Sequence, residues 1–274
     1  MATGAEFLKG WEGFKLRRYQ APETLEDFYG NLWQKDKKSQ SPQASRVSLA
    51  RRFRPIAENL TLNDTVLDLG SGPQIFTREY ALTYGSPKFQ FITLDSSHID
   101  ANKLQARCYK NVQHIVADGK HLPIQNESIK AVVSNMALDF TGVEGIEELK
   151  RVLEPNGQAF INLCFPALDP KKFFDNDEIL RDPHTKPSRK KEILFWRSYL
   201  SDPNNQRLVD TPDEADNLFY SLGFDIQYTQ YVKNPLYDWY EIDVRKPHST
   251  EPVKNGRQFR MTDLGKAKEL TYLL

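Results

Sequence analysis

Between residues 65 and 164, short runs of β-branched and apolar residues alternate with amphipathic stretches, joined by short connections. Residues 65–69, 89–94, 112–116, 131–134 and 158–164 read as strands. Helices are predicted at 76–83, 99–109 and 142–153, and Glu154-Pro155-Asn156-Gly157 as a turn before the fifth strand. Strands this uniformly apolar need cover on both faces, and each parallel pair needs a crossover. The pattern predicts an α/β fold: a mostly parallel, doubly wound, Rossmann-like sheet.

After Phe165-Pro166 the alternation stops. Residues 166–210 are polar, contain several prolines and carry the basic run Lys186-Pro187-Ser188-Arg189-Lys190-Lys191. They read as an insertion, partly helical around 192–200. Regular structure resumes at Thr211-Pro212-Asp213-Glu214, which joins a capping threonine, a proline at the first helical position and acids in the first turn. Gly223 ends that helix. Strands at 225–232 and 237–244, joined through Lys233-Asn234-Pro235, bring the sheet to seven strands. The chain thus divides into an N-terminal helical segment (1–62), the core (63–165), the insertion after the fifth strand (166–210), the last helix and strands (211–246) and a tail (247–274).

Composition excludes several classes. Lys+Arg and Asp+Glu both total 37, and zero net charge argues against a dedicated nucleic-acid binder. Cys108 and Cys164 cannot form a disulfide framework or a metal cluster and read as reduced structural thiols. The 5 histidines have no ligand-like spacing, so no metal is expected. There is no signal-like apolar region at the N-terminus and no run of about 20 apolar residues. The expectation is a cytoplasmic protein without a membrane span, its oligomeric state open.

The sharpest local signal is Val66-Leu67-Asp68-Leu69-Gly70-Ser71-Gly72-Pro73, an apolar strand closed by an acid and a glycine turn. Ligands of parallel α/β sheets bind beyond the carboxyl ends of the strands. An acid there disfavours a phosphate and suits a cationic group such as an α-ammonium. Asp95, ending the second strand before Ser96, can accept both hydroxyl hydrogens of a ribose. Asp118, after the third strand in Ala117-Asp118-Gly119, can reach an adenine amino group. Asp68 or Asp95 taken singly could simply cap the following helix; three acids at three successive strand ends favour a ligand.

In their order and spacing these residues, with Leu153-Glu154-Pro155-Asn156-Gly157, resemble the class I S-adenosylmethionine-dependent methyltransferases over residues 64–165. The resemblance implies S-adenosylmethionine as cofactor. Asp68, Gly70, Ser71 and Gly72 would line its methionine end, and Asp95 with Ser96 its ribose. Ala117, Asp118 and Gly119 would flank its adenine, while Ser134 and Asn135 would face the amino-acid portion and the methyl group. One departure is Gln74, where the family often has a third glycine.

On the acceptor side the segment Ser134-Asn135-Met136-Ala137-Leu138-Asp139-Phe140 lacks the Asn/Asp-Pro-Pro-aromatic loop of amino-methylating DNA enzymes. It looks more like small-molecule or carrier-protein methyltransferases, many of which have His or Gln where Asp139 stands. Asp139 is the candidate general base, with a helix cap as its ordinary alternative. Trp11, Trp33, Phe173, Phe174, Phe195, Trp196 and Tyr199 fall where such enzymes build an apolar lid, with core residues that anchor the insertion as the equal alternative for Phe195 and Trp196. A small, apolar or aromatic acceptor is therefore expected. RNA, protein or a carrier-bound substrate is the alternative, as is a silent cofactor-binding subunit.

Overall fold

The computed structural model describes residues 44–97, 109–164, 211–233 and 239–248, with scattered residues in the segments between. The strands are β1 (Thr65–Leu69), β2 (Gln90–Asp95), β3 (Val112–Val116), β4 (Ile129–Asn135), β5 (Leu153–Cys164), β6 (Asp225–Val232) and β7 (Trp239–Arg245). They form one 7-stranded sheet in the order β3-β2-β1-β4-β5-β7-β6. The first five pair in parallel, and β7 runs antiparallel to both β5 and β6. Chain order reverses between β1 and β4, which places a binding crevice beyond their carboxyl ends.

Among the described residues four α-helices flank the sheet: α1 (Ala44–Ala57), α2 (Ile75–Tyr84), α3 (Gly142–Val152) and α4 (Pro212–Ser221). Alternation along the strands sorts their side chains to two faces. Val66, Phe91, Ala131, Val133 and Phe160 pack against Leu49 and Phe53 of α1 and Phe76 and Tyr80 of α2. Leu67, Leu69, Val132, Ile161 and Ile242 meet Ile146, Leu149 and Val152 of α3 and Phe219 of α4. In α3 the buried residues recur at helical spacing. Glu144 in its first turn and Lys150 and Arg151 in its last complement the helix dipole.

The start of α4 follows its sequence signal: Thr211 Oγ1 accepts from the Glu214 amide at 3.2 Å and Pro212 opens the helix. Thr211→Ala is expected to cost about 1 kcal/mol, read as a lower denaturant midpoint at unchanged slope.

Two expectations are corrected. Glu154-Pro155-Asn156-Gly157 is not a turn ahead of β5 but lies within it as a bulge. Ile129 pairs with Leu153 and Ala131 already with Gln158, with Asn156 at φ 64 taking up the extra length. Of the helix predicted at 99–109, Leu104, Ala106 and Tyr109 are described, and none of them is helical. The N-terminal aromatics, the insertion aromatics Phe173, Phe174, Phe195, Trp196 and Tyr199, and the tail from 249 lie outside the described residues. Among those described, no helix is long and apolar enough to cross a membrane.

Candidate functional site

Asp68 ends the apolar run of β1 on the face covered by α1 and α2. It is 2% exposed, and its Oδ2 accepts a 2.7 Å hydrogen bond from the Thr77 hydroxyl in the first turn of α2. Burial pushes its carboxyl up to about 7, against the opposing effect of that hydrogen bond. Among the described residues no cation pairs with it.

The turn after β1 is clamped to the end of β2, since the Gly70 and Ser71 amides both donate to Leu94 O, at 2.8 and 2.9 Å. Gly70 and Gly72 have φ of +71° and +50°. A Cβ on Gly70 would stand 2.0 Å from the Ala137 Cβ, so this glycine lets the turn abut the segment after β4. Gln74 keeps the left-handed backbone of the glycine it replaces, at φ 65. Its buried side chain bridges two elements: Nε2 donates to Thr93 Oγ1 (2.9 Å) and Oε1 accepts from the Ala106 amide (3.0 Å).

Asp95 closes the next strand, half-buried. Its Oδ2 accepts from the Gly72 amide at 2.7 Å and its Oδ1 from the Ser97 amide at 2.9 Å. Each oxygen keeps a further lone pair for a ligand hydroxyl. Ser96 beside it is exposed. The Ala117 amide donates to Asp95 O at 3.0 Å, so the third predicted segment meets the second directly. Asp118 is exposed and accepts from the Lys120 amide (2.9 Å), while Gly119 is buried against Thr141. Arg151 of α3 pins this loop by donating to Leu122 O (2.9 Å) and Ile124 O (2.8 Å). Its hydrogen bonds to Glu148 hold that carboxyl below its ordinary range.

Beyond β1 on the other side stands the end of β4. Ser134 is 1% exposed, and its hydroxyl has no partner among the described residues. Asn135 Oδ1 accepts from Asn162 Nδ2 at 2.9 Å. Met136 turns the chain at φ 57, its amide held by Asn162 O at 2.8 Å. Asp139 lies on the 3-10 turn Leu138–Phe140 that follows. The chain and its hydrogen bonds therefore join Asp68, Gly70, Ser71, Gly72, Asp95 and Ala117 along one edge of the sheet, with Gly70 abutting Ala137 two residues after Asn135, and with Asp118 and Ser96 exposed.

Several participants were not singled out from sequence. Thr77 acts through a side chain whose partner only the fold supplies, and Gln74, noted only as a departure from glycine, bridges Thr93 and Ala106. Asn162 is a polar residue inside the apolar run Phe160-Ile161-Asn162-Leu163, and that irregularity was the available signal. Arg52 sits between Arg51 and Phe53 with no local mark, yet its side chain is 10% exposed and ion-paired to Asp243 and Glu241. Among the described residues no group of three or more His, Cys, Asp or Glu could hold a metal.

Residues 66–157 match the family model of the methyltransferase domain. No curated protein matches the sequence. Among solved structures, a Burkholderia thailandensis 1,6-didemethyltoxoflavin-N1-methyltransferase with bound 1,6-didemethyltoxoflavin and S-adenosylhomocysteine aligns with a TM-score of 0.56 at 12% identity. It covers 90% of this chain and 92% of its own. A SAM-dependent methyltransferase from Methanosarcina mazei aligns at 0.51 and 18% identity, over 71% of this chain and 98% of its own. A geranyl diphosphate methyltransferase in complex with GPP and sinefungin aligns at 0.51 and 12% identity, over 73% and 77%. At these identities the structural likeness speaks for the fold.

Sheet order, glycine turn and domain match together define a class I methyltransferase domain. Residues 66–157 thus form a methyltransferase domain, and the cofactor that the sequence resemblance implies for it is S-adenosylmethionine. The residues present fit that group: a buried acid that no cation among the described residues pairs with, beside the glycine turn, suits an ammonium, and Asp95 has the spare lone pairs a ribose diol needs.

Proposed function

We propose that the enzyme methylates O, N or C of a small, apolar or aromatic metabolite. When bound, S-adenosylmethionine supplies a sulfonium methyl carbon open to in-line displacement. Asp68 faces the cofactor's ammonium, Gly70, Ser71 and Gly72 line its methionine end, and Ser134 and Asn135 border the amino-acid portion. Asp95 and Ser96 hold the ribose; Ala117, Asp118 and Gly119 flank the adenine. Holding an acceptor in line beyond the ends of β1 and β4 can supply much of the rate by orientation alone. Asp139 is the proton acceptor where the acceptor atom carries a proton that must leave.

The carrying observation is the pair of acids, Asp68 and Asp95, linked through the single turn that separates β1 from α2. A small acceptor is supported by neutral net charge and by the bound toxoflavin precursor and geranyl diphosphate of two proteins sharing this fold. Segments 1–62 and 166–210, rich in aromatics, would enclose it.

The test is thermal unfolding with S-adenosylmethionine, S-adenosylhomocysteine and NAD. A ligand at roughly 100 times its dissociation constant adds about 2.7 kcal/mol. Both adenosyl ligands are expected to raise the midpoint, and NAD is not. Asp95→Ala removes two charge-assisted hydrogen bonds, each worth about 1.5–3 kcal/mol. It is expected to weaken either adenosyl ligand by at least about 100-fold. Stabilisation by NAD, or an unaltered response in the variant, would refute the assignment.

A further inference from the structure

A chain of side chains runs from α1 across the sheet to the site, and its directions are fixed by what each group can donate. The Arg52 guanidinium has donors and no acceptor. Asp243 and Glu241 anchor it through ion pairs, and the Tyr228 ring lies 5.6 Å from its carbon. From that position Nη2 donates to Asn162 Oδ1 and, at 3.4 Å, to Ile161 O. The Asn162 amide can therefore stand only one way round. Its Nδ2 faces away from Arg52 and donates to Ser45 O (2.8 Å) and Asn135 Oδ1 (2.9 Å). Asn135 has in turn committed its acceptor, which leaves the two N–H donors of its Nδ2. Nothing among the described residues accepts from them.

The strand that carries Asn135 pairs directly with the strand that carries the acid of β1. In the β1–β4 register Asp68 pairs with Val133. Asn135, two residues further along β4, projects to the same face as Val133. Gly70 abuts Ala137 just beyond. An acid and an amide with uncommitted N–H donors on neighbouring strands are complementary to the two charges of an amino-acid terminus.

We infer that Asn135 Nδ2 donates to the α-carboxylate of the cofactor's methionine moiety, and that Arg52 and Asn162 are positioning residues holding the amide in that orientation. The inference rests on the cofactor assignment above and names one of its recognition elements. It also gives a role to the buried Arg52 of α1 beyond its ion pairs with Glu241 and Asp243.

The test compares S-adenosylmethionine with decarboxylated S-adenosylmethionine, which differ in the carboxylate alone, by isothermal titration calorimetry. Wild type is expected to prefer the carboxylated ligand by roughly 10- to 100-fold, the range of one hydrogen bond to a charged group. Asn135→Asp replaces the donor with a carboxylate and is expected to bring the ratio to about one or below while leaving the decarboxylated ligand little affected. Asn162→Asp keeps the partner of Arg52 but offers Asn135 an acceptor instead of a donor. The Asn135 amide then turns, and the preference is expected to collapse although residue 162 does not touch the ligand. A general structural defect would weaken both ligands equally, and equal losses in Asn135→Asp overturn the inference. Full preference in a folded Asn162→Asp removes the positioning role of Arg52 and Asn162. Wild type binding neither ligand would sink the cofactor assignment itself, and the inference with it.

Discussion

Gly70→Ala is expected to destabilise the protein by about 2–5 kcal/mol. The added Cβ would lie 2.0 Å from the Ala137 Cβ, where non-bonded carbons need roughly 3.5–4.0 Å. Overpacking of this kind costs about 1–3 kcal/mol. The backbone at φ +71 adds about 1–2 kcal/mol for any residue with a Cβ. Relief cannot come from moving the turn, because the Gly70 and Ser71 amides both hold Leu94 O. The segment after β4 must yield instead, and with it the neighbourhood of Asn135. Urea denaturation should show the loss at an unchanged slope. Adding Ala137→Gly removes the opposing Cβ and should restore the packing share while leaving the backbone share. No recovery in the double variant would mean that the penalty arises elsewhere. On this account Gly70 was legible as a special residue, but for an incomplete reason. The sequence marked it as part of a turn that lines a ligand, and the structure adds that the missing Cβ is where another segment of the protein sits.

The same division runs through the molecule. Strands β1 to β4, β6 and β7 were readable because apolar runs and turn residues act locally. The Thr211-Pro212 helix start was readable for the same reason, since cap and helix are neighbours in sequence. Asp68 and Asp95 could be proposed because a strand end followed by a glycine turn constrains what lies beyond it. What stayed hidden depends on partners far along the chain. Arg52 meets Asn162 110 positions away and Asp243 191 positions away. No local pattern distinguishes it from the solvated arginines beside it. Glu241 and Asp243 alternate with apolar residues as an exposed strand face would, yet they are 1% and 8% exposed because that face meets α1. The bulge at 154–157 was misread because a Pro-Asn-Gly sequence signals a turn equally well inside a strand and before one.

Asp68 should give the protein an unusual pH profile. Burial raises its carboxyl from an ordinary 3.8 to about 7, so the folded chain holds a proton that the unfolded chain releases near pH 4. A raised folded-state pKa contributes stability that is complete below the unfolded value and is lost as pH rises through the folded one. Between pH 4 and pH 8 the ligand-free protein should lose about 4 kcal/mol through this group, at 1.36 kcal/mol per unit. Asp68→Asn keeps an oxygen for the Thr77 hydroxyl and removes the charge. Its stability should lack that loss across the window and exceed wild type at pH 8. Affinity should move the opposite way. A cofactor ammonium favours the ionised carboxyl, so wild-type affinity for S-adenosylmethionine should tighten from pH 5.5 to 7.5 as binding displaces fewer protons. The asparagine variant should bind weakly at every pH in that range. Denaturation and titration calorimetry at matched pH separate the two effects. Parallel stability profiles would show that the carboxyl does not titrate there, and undiminished affinity in Asp68→Asn would show that the ammonium binds elsewhere. The predicted combination, a variant more stable at pH 8 and worse at holding its cofactor, is what a buried charge kept for function rather than for folding should produce.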